Sequence, residues 1–142
     1  MILEKGNMWS VWPTTDRFFI TANATLKKDG SLVMGRGIAC EARDRFPGLD
    51  LKLGQAIGTS GKVYGILLGK KLCLFQVKFH WHEQADLSLI ESSTMLLTAQ
   101  AHIESEKRFD LNFPGIGNGR LAYDDVYQII KTLPENVHVW TK

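Results

Sequence analysis

A glycine-rich stretch, NFPGIGNGRLAYDDV (112–126), constrains the fold of this chain more than any other feature. Its three glycines, Gly115, Gly117 and Gly119, fall within five positions, and glycine loses more backbone freedom on folding than any other residue. The segment before them (108–113) has the composition of a strand, and the segment after them (122–133) carries apolar residues at helical spacing. The stretch is therefore predicted to be a tight loop that connects a strand to a helix.

The rest of the chain alternates between strands and helices in the same way. Strands are predicted at 1–6, 16–23, 62–69, 71–79, 108–113 and 136–140, and helices at 37–46, 85–104 and 122–133. The third and fourth strands have the spacing of a hairpin, which favours an antiparallel pair within a mixed sheet. No repeat or linker divides the chain, so residues 1–142 are predicted to form a single layered α/β domain.

Composition narrows the functional classes. The longest apolar runs, GILLG and LCLF, are far shorter than a membrane span, and the N-terminus lacks a signal-peptide pattern, so we expect a soluble protein. Cys40 and Cys73 do not make a disulfide framework, which favours a cytoplasmic location. Seventeen basic and fifteen acidic residues are mixed along the chain, with no polycationic arm for non-specific nucleic-acid binding.

Two loops have the composition of an anion-binding site. In an α/β sheet, ligands bind beyond the carboxyl ends of the strands, and the loops at 22–37 and 112–126 are both expected there. Closely spaced glycines before a helix N-terminus let backbone N–H groups approach an anion, most often a phosphate. The two loops are therefore predicted to form the walls of a groove for a diphosphate.

Other phosphate-binding motifs fit the chain less well. The segment GNGRLA (117–122) matches the dinucleotide fingerprint G-x-G-x-x-G/A. That fingerprint requires a following strand that ends in an acidic residue, and here the only remaining predicted strand ends at Trp140. The P-loop motif is also excluded, because the sequence GK[ST] does not occur.

Five motifs, in the same order along the chain, resemble those of the macro domain family, which binds ADP-ribose. They are KGNMW (5–9), ANATL (22–26), MGRGIACEARDRFPG (34–48), FPGIGNGRL (113–121) and VHVW (137–140). Within the family, the likeness is to the branch that contains the terminal ADP-ribose protein glycohydrolase and the DNA ADP-ribosyl glycohydrolase antitoxins. The resemblance spans nearly the whole chain and implies a three-layer α/β/α sandwich with a central mixed sheet.

The resemblance also implies a set of ligand contacts. Asn7 and Met8 would recognise the adenine, although the wider family more often has Asp at the position of Asn7. Trp140 would flank the adenine, Asn23 would contact the distal ribose, and the glycine loops would hold the diphosphate. The implied ADP-ribose-binding residues are Asn7, Met8, Asn23, Gly35, Arg36, Gly37, Ile38, Pro114, Gly115, Ile116, Gly117, Asn118, Gly119, Arg120 and Trp140.

Lys78 is the candidate nucleophile. It lies near the end of the predicted strand 71–79, on the side shared by Gln76 and His80. Partial burial there lowers the pKa of a lysine and favours its neutral, nucleophilic form, whereas a lysine that extends into water keeps an ordinary pKa. In the glycohydrolase branch a lysine at this place attacks the ribose carbon of the glycosidic link. The resemblance therefore implies Lys78 and Asn23 as catalytic residues.

The chain departs from that branch at an acid that follows the second glycine loop. Arg120 and Leu121 stand where the acid would fall, and Asp124 and Asp125 begin the next predicted helix, where acids suit the helix dipole. Either Lys78 works without this acid, or another acid substitutes for it, or catalysis is lost.

These observations favour a protein that binds ADP-ribose and hydrolyses the ADP-ribosyl link on a modified macromolecule. The alternatives are a non-catalytic ADP-ribose-binding module and a phosphatase acting on ADP-ribose 1″-phosphate. We expect a monomer whose partner is ADP-ribose or an ADP-ribosylated macromolecule, with nucleic acid only as a modified substrate and no membrane. No cofactor is expected. No metal is expected either, because His80 and His82 would face opposite sides of a strand and no third ligand clusters with them.

Overall fold

Six strands form one sheet in a computed structural model of the chain, which describes residues 1–61 and 63–142. The strands are β1 Ile2–Lys5, β2 Arg17–Ala22, β3 Ile66–Leu67, β4 Leu72–Gln76, β5 Phe109–Asn112 and β6 Val137–Thr141. The helices are α1 Gly37–Arg45, α2 Leu49–Thr59, α3 Leu87–Ile103 and α4 Tyr123–Ile130, and a 3₁₀ turn covers Met8–Val11. The strand order in the sheet is β1-β6-β5-β2-β4-β3.

All neighbouring strands in this sheet are parallel except β3, which runs antiparallel to β4. The mixed sheet and the antiparallel hairpin predicted from the sequence are therefore confirmed. Because the five strands other than β3 run in one direction, their carboxyl ends lie along the same rim of the sheet. This rim gathers the loops that follow β1, β2, β4 and β5.

Helices cover both faces of the sheet. Phe18 and Phe19 are adjacent on β2, both fully buried, and they belong to two different core clusters because successive strand residues point to opposite faces. The cluster around Phe19 includes residues of α3 and α4, and the cluster around Phe18 includes residues of α1, α2 and the 3₁₀ turn. The three-layer α/β/α sandwich is thus confirmed. Among the described residues, no helix is both long enough and apolar enough to cross a membrane.

Helix α2 is the element that the sequence prediction missed. The helix predicted at 37–46 is present as α1 and ends at Arg45, just before Pro47 and Gly48, but the chain begins a second helix at once at Leu49. Gly48 adopts a left-handed conformation (φ 87°) that redirects the backbone between the two helices. Leu49, Leu53 and Ile57, four residues apart, pack against the core and are the signal that identifies α2.

Two predicted strands are shorter than expected. The segment predicted as 62–69 pairs only at Ile66–Leu67, and its predicted first residue, Lys62, lies outside the described residues. The segment predicted as 71–79 ends at Gln76. Beyond Gln76 the backbone leaves the sheet: the N–H of Val77 still donates to the carbonyl of Ala22, and the chain then turns towards α3.

An ion pair joins the start of β2 to the end of α3, at the end of the sheet opposite the rim. The guanidinium of Arg17 donates to both carboxylate oxygens of Glu104, at 2.7 and 3.1 Å, and Lys107 donates to the same group at 3.2 Å. The hydrogen bonds from Arg17 lower the pKa of Glu104 from 4.5 to about 2. Both paired side chains are largely buried, so this bidentate contact is a stronger link than an exposed surface pair.

Replacing Glu104 by Gln should therefore destabilise the protein in a pH-dependent way. The depressed pKa means that the contribution of Glu104 to stability is present above pH 4.5 and is lost as the pH falls towards 2. We expect the free energy of unfolding to fall by about 1–2 kcal/mol at pH 7, and by less at pH 2.5. Urea unfolding at both pH values measures this, with the exposed neighbour Glu106→Gln as control. A loss in Glu104→Gln that is equal at both pH values would contradict the role of the charge.

Candidate functional site

The predicted site residues lie at the rim, in the same order as the strands. In the sheet order β1-β6-β5-β2-β4, four spacings between neighbouring strands separate β1 from β4. At about 4.8 Å each, they place the two strands about 19 Å apart. The residues that follow one another along this line are Asn7 and Met8 after β1, Trp140 in β6, residues 113–121 after β5, Asn23 after β2 and Lys78 after β4. The rim is therefore laid out for an extended ligand with different groups along its length.

The two glycine loops meet at this rim. A side chain on Gly37, which has a φ of 59°, would approach the Nδ2 atom of Asn118 to 3.1 Å. Gly37 is also the first residue of α1, so the N-terminus of this helix opens towards the second loop. The predicted juxtaposition of the loops at 22–37 and 112–126 is thus present in the fold.

Within the second loop, the glycines do two different things. Gly115 and Gly119 are buried, and a Cβ at Gly119 would lie 2.5 Å from the carbonyl oxygen of Gly115, so packing requires both residues to be small. Gly117 and, in the first loop, Gly35 are exposed, and a Cβ on either would meet no atom within 4 Å. The protein's own packing does not require glycine at these two exposed positions.

The remaining predicted loop residues divide in the same way. Pro114 is buried, and Ile116 and Ile38 are partly buried against the two core clusters, so their side chains hold the loops in place. Arg36 and Asn118 are exposed at the rim. The buried loop residues therefore serve as scaffold, and the exposed side chains of Arg36 and Asn118 are accessible at the rim.

Lys78 lies just beyond the end of β4, beside the second loop. Its Nζ atom donates to the carbonyl oxygen of Asn118 at 3.5 Å. Partial burial lowers the pKa of Lys78, and the positive charges of Arg120 and Arg36 lower it further, whereas the carboxylate of Glu83 acts in the opposite direction. The direction agrees with the expectation from the sequence, which did not foresee the two arginines.

Arg120 holds a backbone conformation that is rare for a residue with a side chain. Among the described residues it is the only one other than glycine with a positive φ, 61°. Such strain costs on the order of 1 kcal/mol and persists only where neighbouring contacts impose it. Here the N–H of Arg120 donates to the carbonyl of Gly117, and its own carbonyl accepts from Gln84. The guanidinium of Arg120 is one of the two positive charges that lower the pKa of Lys78.

Asn23 links the first loop to the segment that carries Lys78. Its Nδ2 atom donates to the carbonyl of Val33 and its Oδ1 atom accepts from the N–H of Thr25, both at 3.0 Å. The next residue, Ala24, donates its N–H to the carbonyl of Phe79 at 3.2 Å. These bonds fix Asn23 near Lys78 and leave one amide hydrogen of Asn23 for a further partner.

At the other end of the rim, Asn7 caps the 3₁₀ turn. Its Oδ1 atom accepts from the N–H of Trp9 at 3.0 Å, and the side chain of Met8 is buried. The N–H of Met8 belongs to the first turn, where backbone donors have no partner within the helix. Asn7 is exposed and uses its side-chain oxygen for capping, whereas Met8 is almost completely buried.

Trp140 is held by a residue that the sequence analysis did not single out. Its indole Nε1 donates to the Oδ1 atom of Asp110 at 2.7 Å, and Asp110 is completely buried. On the other side of the ring, a Cβ on Gly6 would lie 4.0 Å from the indole Cζ3 atom. Asp110 and Trp140 are thirty positions apart, so no local sequence pattern reveals their contact.

The histidines near Lys78 do not form a metal site with other ligands. The expectation that His80 and His82 face opposite sides of a strand is wrong, because residues two positions apart on a strand share a face. The two residues also lie outside the sheet, since β4 ends at Gln76, and their rings are 5.8 Å apart in the turn that follows. Glu83 uses one carboxylate oxygen to accept from the N–H of His80 at 3.0 Å. Within residues 1–61 and 63–142, no group of three or more His, Cys, Asp or Glu side chains is arranged to hold a metal ion.

Two cavities lie away from the rim. One of about 660 Å³ is a groove between α3 and α4, lined by residues such as Met95 and Ile129, and one of about 320 Å³ lies beside Trp12 and Phe46. Neither contains any of the predicted site residues. The rim remains the better candidate, because a binding site is recognised by convergent polar groups and a perturbed pKa as well as by its volume.

Comparisons of the sequence with family models and with curated proteins give no match. Solved structures do match. The macrodomain of Mycobacterium tuberculosis DarG has a TM-score of 0.74 at 21% identity, with 99% of this chain and 98% of that chain covered. The macrodomain of Thermus aquaticus DarG has a TM-score of 0.74 at 24% identity, with 98% and 95% covered.

A third structure is Thermosipho africanus DarTG in complex with ADP-ribose, with a TM-score of 0.78 at 18% identity. It covers 99% of this chain, and this chain spans 41% of that one. These likenesses, over nearly the full length, establish that the chain has the fold of a macro domain.

Proposed function

We propose that this macro domain, residues 1–142, binds ADP-ribose along the rim and hydrolyses the ADP-ribosyl link on a modified macromolecule. The observation that carries the proposal is the order of groups along the rim. An aromatic ring and the exposed Asn7 stand at one end, two neighbouring glycine loops in the middle, and a lysine whose pKa is lowered by two arginines at the other end. Adenine, diphosphate and distal ribose follow one another in the same order in ADP-ribose.

The open glycines support a ligand at the centre of the rim. Side chains at Gly35 and Gly117 would meet no protein atom within 4 Å, so glycine is not needed there for folding. Glycine is needed if a ligand lies directly on the backbone, as phosphates do when they are bound by N–H groups. The N-terminus of α1 at Gly37 adds a favourable dipole, and Arg36 and Arg120 add positive charge.

One of the similar structures supports the same ligand. The DarTG structure from Thermosipho africanus contains ADP-ribose, and this chain superimposes on it over 99% of its own length. The first loop, the second loop and the end of β1 are parts of this shared fold. We assign the adenine end to Asn7, Met8 and Trp140 and the diphosphate to the two loops.

Lys78 is proposed as the catalytic residue. In its neutral form, the Lys78 amine attacks the anomeric carbon of the distal ribose. A C–N bond forms as the bond from that carbon to the carrier breaks, and the carrier atom keeps the electron pair and takes up the proton that the amine releases. Water then hydrolyses the C–N bond, which regenerates the lysine and yields ADP-ribose. Asn23 would orient the distal ribose through its remaining amide hydrogen.

We propose that Glu83 substitutes for the acid that the related glycohydrolases have after the second loop. Among the described residues, Glu83 is the carboxylate whose charge raises the pKa of Lys78, and Arg36 and Arg120 are the cations that lower it. Asp124 and Asp125 lie instead in the first turn of α4. A carboxylate near the amine is suited to pass a proton between the amine, the leaving carrier and water.

A module that binds ADP-ribose without chemistry is the second candidate, and the arginine at the position of the acid favours it. A phosphatase acting on ADP-ribose 1″-phosphate would use the same cations for a terminal phosphate. The two alternatives predict different outcomes in one assay, which makes them separable from the glycohydrolase.

The catalytic prediction concerns Lys78→Ala. The protein is incubated with ADP-ribosylated DNA, ADP-ribosylated protein and ADP-ribose 1″-phosphate, and released ADP-ribose or phosphate is measured. We expect release from a modified macromolecule, reduced on the order of 10³-fold in Lys78→Ala because the nucleophile is absent. Lys70→Ala, at the exposed turn before β4, is the matched lysine control.

Retained ADP-ribose binding in Lys78→Ala shows that the fold and groove are intact. Unchanged substrate with the unsubstituted protein, together with tight binding, would select the binding module. Release of phosphate alone would select the phosphatase.

The binding prediction concerns Gly117→Ala and Gly35→Ala. Because neither added methyl group meets protein, stability should change little, but each occupies the proposed diphosphate position and should weaken ADP-ribose binding about tenfold or more. Isothermal titration calorimetry measures the affinity and thermal unfolding the stability. Gly58→Ala in α2 is the control, since its Cβ also has room, with Leu26 Cδ1 at 4.0 Å, and Gly58 is not one of the predicted site residues. Unchanged affinity in both loop variants would argue against a diphosphate at this position.

The pH prediction uses two substitutions with opposite signs. Activity that needs the neutral amine rises with pH through the pKa of Lys78. Arg120→Gln removes a charge that lowers this pKa, so the rising limb of the pH–rate profile should move to higher pH. Glu83→Gln removes a charge that raises it, so the limb should move to lower pH, and the loss of proton transfer should also reduce the plateau. Shifts of both variants in the same direction would refute Lys78 as the titrating group.

A further inference from the structure

Asp110 is a buried charge that neither the fold nor the proposed chemistry explains at first sight. It is completely buried in β5, and its neighbours Phe109 and Leu111 point into the core on the opposite face of the sheet. Burying an ionised carboxylate costs several kcal/mol unless it is paired and hydrogen-bonded. A hydrophobic side chain at this position would avoid that cost. The carboxylate therefore indicates a contact that an apolar side chain cannot make.

The partners of Asp110 point to Trp140. Arg108 donates to both carboxylate oxygens, at 3.0 and 3.1 Å, and this pairing raises the pKa of Arg108 and compensates the buried charge. The third donor is the indole N–H of Trp140, at 2.7 Å. This distance is at the short end of the range for N–H···O bonds, as expected for a charged acceptor.

The indole of Trp140, on β6, lies between Asp110 of β5 and Gly6, which follows β1. In the sheet register Trp140 lies opposite Asn112 of β5, so its side chain leans back along the strand to reach Asp110, two residues earlier. On the other side, the six-membered ring lies beside Gly6, directly after β1. The ring remains partly exposed and packs at the edge of the core cluster that contains Met8 and Trp9.

We propose that Asp110 is a positioning residue that fixes the plane of the Trp140 indole as the wall of the adenine end of the groove. The inference rests on the proposed function, because it takes the rim to bind ADP-ribose. The χ2 torsion of tryptophan is broad and roughly two-fold, so packing alone permits more than one ring orientation. A hydrogen bond from Nε1 to a fixed, charged acceptor selects one.

The residue that orients the Trp140 indole, Asp110, lies within strand β5 and not in a loop. The backbone N–H of Arg108 donates to Asp16 at 2.8 Å. Connected hydrogen bonds therefore run from Asp16, at the end of the sheet opposite the rim, through Arg108 and Asp110 to the indole of Trp140. A binding group supported by strands is more rigid than one on a loop, and a rigid wall loses less entropy when a flat base packs against it.

The test is a double-mutant cycle with Asp110→Asn and Trp140→Phe, in which Kd is measured by calorimetry for ADP-ribose and for ribose 5-phosphate, which lacks adenine. We expect Asp110→Asn to weaken ADP-ribose binding about fivefold in the original background and less than twofold in the Trp140→Phe background. Affinity for ribose 5-phosphate should be unchanged. Glu104→Gln is the control, since it removes a different ion pair and should lower stability without changing either affinity.

A spectroscopic readout tests the contact itself. The chain has four tryptophans, so four indole N–H signals are expected in a ¹H–¹⁵N spectrum, and the signal that Trp140→Phe removes belongs to Trp140. Asp110→Asn should shift that signal more than the other three. If Asp110→Asn folds poorly, Trp140→Phe, which leaves the Asp110–Arg108 pair in place, still tests the wall: it should weaken binding of ADP-ribose but not of ribose 5-phosphate.

Equal losses of affinity in both backgrounds, or an unmoved Trp140 signal, would overturn the positioning role and leave Asp110 as a structural ion pair. Absence of ADP-ribose binding by the unsubstituted protein is a different result. It would overturn the proposed function and with it the adenine wall.

Discussion

The parallel pairing of β2 with both β4 and β5 is the constraint on which the rest of the structure depends. It places the ends of three strands side by side, and the residues that leave those ends are Asn23, Lys78 and the glycine loop that begins after Asn112. Phe18, Phe19 and Ile20, at the centre of this pairing, are completely buried. Because a one-residue change of register would reverse which side chains face each core, the burial on both faces fixes the register and therefore the rim.

The electrostatics of the rim follow from that placement. The pKa of Lys78 is lowered by burial and by the charges of two arginines from different loops, Arg120 and Arg36. Three cations in one place repel one another in the free protein, and an anionic ligand relieves the repulsion. The cations that lower the pKa of Lys78 are therefore the same groups that would attract the diphosphate in the proposed function.

The parts of this structure that could be predicted are those encoded by nearby residues. The aromatic and β-branched residues of β2, the helical spacing of α3 and α4, and the glycine spacing at 115–119 are local patterns, and each predicts the element that the structure contains. Helix α2 is not predicted, although Leu49, Leu53 and Ile57 carry its signal. Pro47 and Gly48 are typical of the end of a helix, and they do not indicate that another helix begins directly after them. The end of β4 was misplaced because Lys78 and Phe79 continue the alternation after their backbone has left the sheet. Contacts such as Asp110 with Trp140, thirty residues apart, have no local signature and depend on the tertiary fold.

The second loop shows why a motif alone does not separate folding from binding. In PGIGNG, Gly115 and Gly119 are buried against each other and against α3, so any side chain there would disturb the loop. Gly117, between them, has open space in front of it. The sequence shows three equivalent glycines, and only the structure divides them into two that shape the loop and one that leaves room outside it. That division is what makes the binding hypothesis testable: a methyl group at Gly117 separates the ligand from the fold, which a methyl group at Gly115 or Gly119 would not do.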